Sequence, residues 1–135
     1  MVVEPRTVLV IDDDPVIVKL LQVNFEMEGY AVIAAENGVS GLARARDDRP
    51  DLIILDVMMP GMNGLDVARY LRRSDTTAAI PIILLSAKAQ ANDVIQGLEV
   101  ADDYITKPFD PLELLDRVAG LLEPVPDGTA SPEPQ

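Results

Sequence analysis

The chain has 135 residues, the length of one ordinary domain, and its 48% hydrophobic content is ample for a core. It contains neither cysteine nor histidine, which excludes disulfide frameworks, zinc sites built on thiolate or imidazole, and Ser-His catalysis. With 23 acidic against 11 basic residues the formal net charge is −12, a field that repels phosphate backbones and anionic lipids, so unaided nucleic-acid binding and membrane attachment are not expected.

The start, "MVVEPRTV", lacks the basic and long apolar parts of a signal peptide, and no apolar run approaches the ~20 residues of a membrane span. A soluble, cytoplasmic protein is the expectation. The first apolar segment, "TVLVI" from Thr7, runs straight into Asp12, Asp13 and Asp14, three adjacent like charges whose repulsion has to be relieved. Asp14 precedes Pro15, an N-cap acceptor followed by the ring that suits a first helical turn, and Ile17, Leu20, Leu21 and Phe25 then share one helical face to about Glu28. A second strand, "AVIAA" from Ala31, precedes a helical pattern near 38–46. The third, "LIIL" from Leu52, ends at Asp56, and Asn63 with Asp66 starts a helix over 64–73.

The fourth run, "IPIILL" from Ile80, leads through Ser86 to a helical stretch near 89–98, and a weaker "DYI" from Asp103 leads to Thr106 and Lys107. Asp110-Pro111 repeats the capped start, with Glu113 completing a capping-box pattern before a helix over 111–122. The first four runs are continuously apolar, as in strands covered on both faces of a parallel sheet. Strand and helix alternate, which predicts a five-stranded α/β sandwich with right-handed crossovers. Residues 1–123 are read as the domain. Beyond Glu123, "EPVPDGTASPEPQ" holds four prolines and no apolar periodicity, and residues 124–135 are read as a disordered tail or the start of a linker.

In an open parallel sheet a ligand site lies beyond the carboxyl ends of the strands. There the sequence places Asp12 and Asp13, Ala35 and Glu36, Asp56, Ser86, and Thr106 and Lys107. With Asp14 assigned to the helix cap, Asp12, Asp13 and Asp56 remain, and if strands 1 and 3 are neighbours these three converge and call for a cation. Hard oxygen donors alone point to Mg2+ or Mn2+, completed by a phosphate. Lys107 then fits as a point-charge partner for a phosphoryl oxygen, or as a salt bridge to Asp56. Singly, each of these residues also has an ordinary role as a cap, a turn hydroxyl or a surface lysine; their shared edge is what counts.

The stretches "VLVIDDDP", "PDLIILDVMMPGMNG" (50–64), "PIILLSA" (81–87) and "DDYITKPF" (102–109) resemble, in order and spacing, the receiver domain of bacterial two-component response regulators, over about Thr7 to Leu122. The resemblance implies a flavodoxin-like three-layer (βα)5 sandwich with sheet order 2-1-3-4-5. It also implies that Asp56 is the phosphoacceptor for a sensor histidine kinase or phosphotransfer protein, and that Asp12, Asp13, Asp56 and the Met58 backbone carbonyl hold Mg2+. By position, Lys107 matches the lysine that contacts the phosphoryl group, Ser86 the switch hydroxyl and Tyr104 the aromatic rotor. Tyr104 also has a plain reading as a half-buried aromatic on an edge strand. The Lys107-Pro108 bond is cis in the family. The face of helix 4, strand 5 and helix 5 is the implied surface for a partner, a homodimer or an output domain.

Three positions depart from the family pattern. "GLEVADDY" lacks the glycine usual before Ala101, leaving the segment one residue short, so helix 4 must end without a left-handed glycine cap. Asn63 stands where an aspartate is common. Met58 and Lys88 occupy positions that tune hydrolysis of the acyl phosphate, and apolar Met58 cannot orient an attacking water. The alternatives are a phosphorylation-independent interaction module, an aspartate-nucleophile phosphatase and a nucleotide binder. The phosphatase needs an acid where Met58 stands, and the nucleotide binder needs a Gly- or Ser/Thr-rich loop where this chain has three aspartates.

Overall fold

The structure, a computed structural model, describes residues 5–122; the Pro-rich stretch from 124 onward lies outside them. Five strands, β1 (Thr7–Ile11), β2 (Ala31–Ala35), β3 (Leu52–Asp56), β4 (Ile82–Ser86) and β5 (Asp103–Thr106), alternate with five helices, α1 (Pro15–Met27), α2 (Gly38–Asp48), α3 (Gly64–Arg73), α4 (Ala91–Leu98) and α5 (Pro111–Leu122). All pairings are parallel, and the order is β2-β1-β3-β4-β5. This is the doubly wound sandwich that the sequence predicts. Among the described residues no helix is long and apolar enough to cross a membrane.

The continuously apolar strands have a direct structural cause. Side chains alternate across a strand, and here both faces are covered. Val8, Val10, Ile54 and Leu85 join Leu21 and Phe25 of α1 with Leu114 and Val118 of α5 on one side. Leu9, Ile11, Ile53 and Leu84 join Ala45 of α2 with Val67 and Leu71 of α3 on the other. Every residue of β3 and β4 is buried. Each fully buried aliphatic side chain contributes about 1.5–3 kcal/mol, so two cores stabilise strands too short to persist alone.

Helix starts follow the local chemistry. Asp14 Oδ1 accepts the Val16 N–H at 2.9 Å and Asn63 Oδ1 accepts the Asp66 N–H at 3.0 Å. Asp110 Oδ1 takes the Leu112 N–H at 2.9 Å, but Glu113 turns to Arg117 Nη2 at 3.4 Å instead of completing the predicted capping box. The arginine one turn on offers the carboxylate a charged partner. β4 begins at Ile82, two residues into its apolar run, after Pro81, which has no N–H for the ladder. α4 runs over Ala91–Leu98, two residues short at its start, where Gln90 provides no side-chain cap.

At its other end α4 stops as the missing glycine requires. Glu99 keeps right-handed angles, and the N–H groups of Val100 and Ala101 both donate to the Gly97 carbonyl, at 3.1 and 2.9 Å. The left-handed C-cap occurs on α2 instead, at Arg49 (φ 47, ψ 64). A side chain in that region costs about 1 kcal/mol that glycine avoids. Arg49→Gly is therefore expected to stabilise the domain by about 0.5–1 kcal/mol, read as a higher urea midpoint with an unchanged m-value.

Candidate functional site

Register builds the site. Ile11 pairs with both Ala35 and Leu55, and Asp56 pairs with Leu85, so the residues following β1, β3 and β4 come level at one edge. Ser86 pairs with Thr106, and the Lys107 N–H donates to the Ser86 carbonyl at 2.8 Å. The close seating of α3 on this edge requires Gly64, where a Cβ would overlap the Asp56 carbonyl oxygen and lie 2.7 Å from Val57 Cα.

The three carboxylates that the sequence singles out do meet. Oxygen atoms of Asp12, Asp13 and Asp56 lie within 4.8 Å of one another. Asp12 is 1% and Asp56 4% exposed, whereas Asp13 faces solvent. Asp14 is separate, as its place before Pro15 predicts: its side chain caps α1, and its N–H donates to Asp12 Oδ1 at 2.9 Å. Lys107 Nζ stands 3.3 Å from Asp12 Oδ2 and 3.4 Å from Asp56 Oδ1. The predicted Lys107–Asp56 salt bridge is thus half of a shared contact. Met58 is at the rim; its N–H donates to Asp56 Oδ1 at 3.2 Å and its residue surface is 52% exposed.

Burial pushes the Asp56 carboxyl above its usual range, and neighbouring Asp12 pushes it the same way; Lys107 and the Met58 N–H offset this only in part. For Lys107, burial disfavours the ammonium, but Asp12 and Asp56 outweigh it and hold the pKa above the ordinary lysine value. The lysine is charged throughout the physiological range.

Ser86 is fully buried, and its Oγ accepts the Lys88 N–H at 3.0 Å. The Lys88 carbonyl receives the Tyr104 hydroxyl at 2.8 Å. The backbone of one residue in the β4–α4 loop, Lys88, is therefore held at its N–H and at its carbonyl by the two expected switch residues. The Tyr104 ring is half-buried against the core shared by α2 and α3. The Lys107-Pro108 peptide bond is cis. Met58 and Lys88 both line a cavity of ≈ 370 Å³ beside the site.

Residues 8–119 match the family model of the response regulator receiver domain. The chain belongs to this family. The receiver is 48% identical over 118 residues to the phosphate regulon transcriptional regulatory protein PhoB of Pseudomonas aeruginosa, covering 87% of this chain and 52% of that protein. It is 50% identical over 119 residues to the DNA-binding dual master transcriptional regulator RpaA of Synechocystis, covering 87% of this chain and 49% of that protein. The receiver thus spans about half the length of these curated relatives. The receiver domain of response regulator 1452 from Francisella superposes with a TM-score of 0.82 at 36% identity, over 87% of this chain and 96% of that one.

Sequence reading missed one group. Arg72, in the last turn of α3, donates from Nε to the Val100 carbonyl (2.9 Å) and from Nη1 to the carbonyls of Ala78 (3.0 Å) and Ile80 (2.7 Å). Its Nη2 reaches Asp102 Oδ2 at 2.8 Å, and that oxygen also accepts the Ile82 N–H at 2.8 Å. No local pattern marks these residues, because the longest contacts join positions 28 and 30 apart.

The sign of the Asp56 shift has a consequence for stability. A carboxyl whose folded pKa is raised contributes stability below its unfolded pKa and loses it as pH rises through the folded value. In metal-free buffer Asp56→Asn is expected to stabilise the receiver by about 0.5–2 kcal/mol at pH 7, with the gain fading as pH falls into the carboxyl range. Thermal unfolding across that pH range reads both.

Proposed function

We propose that this receiver is a phosphorylation-dependent signalling switch, in which Asp56 accepts a phosphoryl group from a phosphohistidine on a sensor histidine kinase or phosphotransfer protein. The observation that carries this reading is the meeting of Asp12, Asp13 and Asp56 with Lys107 at one sheet edge, in a chain of the receiver family. The donor set suits a hard divalent ion: three carboxylates, two of them buried, with no nitrogen or sulfur donor among them. Asp12, Asp13, Asp56 and the Met58 backbone carbonyl would hold Mg2+, with Mn2+ as a substitute. When bound, the ion supplies positive charge beside the transferring phosphoryl oxygens.

The chain's own residues supply the rest. An Asp56 carboxylate oxygen attacks phosphorus, the P–N bond to imidazole breaks, and its electron pair stays on the ring nitrogen. The Lys107 ammonium, already beside Asp56, can turn to a phosphoryl oxygen and oppose the charge that gathers there. Burial of Asp56 limits access of bulk water. The acyl phosphate carries nearly two negative charges at the edge, in place of the single charge of the carboxylate. Ser86 can donate its hydroxyl proton toward that group while its oxygen keeps the Lys88 N–H. Because the carbonyl of the same residue, Lys88, holds Tyr104, a shift of the loop reaches β5 and the α4–β5–α5 face. That face is the proposed surface for a partner, a second copy or an output module.

The side chain of Met58 lies open at the rim and has no group that can orient an attacking water. A persistent phosphorylated form follows, lasting minutes or longer; decay within seconds would count against it.

Incubation with acetyl phosphate and Mg2+ should add one phosphoryl group by mass, and Asp56→Asn should abolish it. An unmodified wild type, or an undiminished adduct on the variant, would refute the proposal. Asp13→Asn should weaken Mg2+ binding about tenfold or more, whereas Asp14→Asn, which alters only a helix cap, should leave it nearly unchanged in a calorimetric titration.

A further inference from the structure

Gly97 is in the last turn of α4, buried, with an ordinary right-handed backbone. Its conformation does not call for glycine, and glycine is a poorer helix residue than alanine. The packing does call for it. A Cβ at Gly97 would lie 2.7 Å from Tyr104 Cε2, closer still to Cδ2, and 3.0 Å from Leu84 Cδ1. The aromatic ring occupies the space of the missing side chain, while its hydroxyl reaches the Lys88 carbonyl at 2.8 Å. The ring is thus gripped at its edge by α4 and at its tip by the β4–α4 loop.

The end of α4 is not free to retreat from the ring. The Gly97 carbonyl holds the N–H groups of Val100 and Ala101. Arg72 holds the Val100 carbonyl at 2.9 Å and, through Asp102, is tied to the start of β4 at Ile82. α3, the end of α4, and the starts of β4 and β5 thereby form one fastened unit.

We propose that Gly97, fixed by the Arg72 clamp, is a positioning residue: it is the socket that receives the Tyr104 ring and sets how strongly the seated orientation is favoured. The socket itself stands on packing. Its consequence for signalling rests on the phosphorylation reading above, because the phosphoryl state acts on the loop that also holds Tyr104. On that reading the phosphoryl state favours the seated ring, and because coupling between sites is reciprocal, a change that unseats the ring weakens binding of a phosphoryl mimic.

The test is a double-mutant cycle in the full chain with Gly97→Ala, Tyr104→Ala and both together. Thermal unfolding and affinity for beryllium fluoride with Mg2+, a tetrahedral phosphoryl mimic, are the two readouts. In the Tyr104→Ala background the added methyl meets no ring, Leu84 Cδ1 at 3.0 Å can give way into the space the ring leaves, and Tm should rise through helix propensity. With Tyr104 present it should lower Tm and raise the beryllium fluoride Kd about fivefold or more, an effect absent in the Tyr104→Ala background. Folding of the double variant where Gly97→Ala alone fails would support the socket in its extreme form. Equal effects of Gly97→Ala in both backgrounds, or failure to fold in both, overturn it. A wild type that does not bind the mimic refutes the phosphorylation reading, and the Tm cycle still decides the socket.

Discussion

The Lys107 ammonium stands between Asp12 and Asp56, 3.3 and 3.4 Å from their oxygens, and the arrangement of the carboxyl edge depends on that contact. Two carboxylates with almost no solvent around them repel each other in a medium that screens poorly. One cationic side chain and two backbone N–H groups, from Asp14 and Met58, are what the described fold sets against the repulsion. Burial above all, and then the charge of Asp12, raise the Asp56 pKa above that of a free aspartate, and these contacts offset the rise only in part. A site that is under-compensated at rest is one that gains by taking up positive charge. Natural proteins commonly give up stability of this kind where they do chemistry.

The hydrophobic strands make such a cluster possible. A strand shifted by one residue would send its side chains to the opposite faces, and Asp12 or Asp56 would then leave the edge at which they meet. Because β1, β3 and β4 are buried on both faces, their register is set by close packing in two cores at once. The same fact made the fold legible from sequence, since only a doubly covered sheet tolerates runs such as "LIIL" and "IILL". The caps at Asp14 and Asn63 were legible for a related reason: each is a contact between residues two or three apart. The chemistry of the cluster could be read from three acids and a lysine placed after strands.

What the sequence did not disclose depends on long-range geometry. Arg72 reads as an ordinary cation in the last turn of a helix, yet its guanidinium binds three carbonyls and a carboxylate across two loops. Gly97 reads as a helix-weakening residue, and only the approach of β5 explains it. Glu113 fits a capping box by spacing but is drawn to Arg117 instead. The end of α4 is intermediate: the absent glycine showed that the usual cap could not form, while the paired N–H groups on the Gly97 carbonyl had to be seen.

The sheet also divides the interior. Side chains from α1 and α5 pack against one face, and those from α2 and α3, with Tyr104, against the other. The strands separating these compartments form one continuous parallel sheet, and its inner strands β1, β3 and β4 are packed closely on both faces. The sheet stands between the two compartments, and its carboxyl edge, where Asp12, Asp56, Ser86 and Lys107 lie, borders both. On the proposed reading, surfaces on the two sides of the sheet can be shaped for different contacts and still answer to the same few charges at that edge.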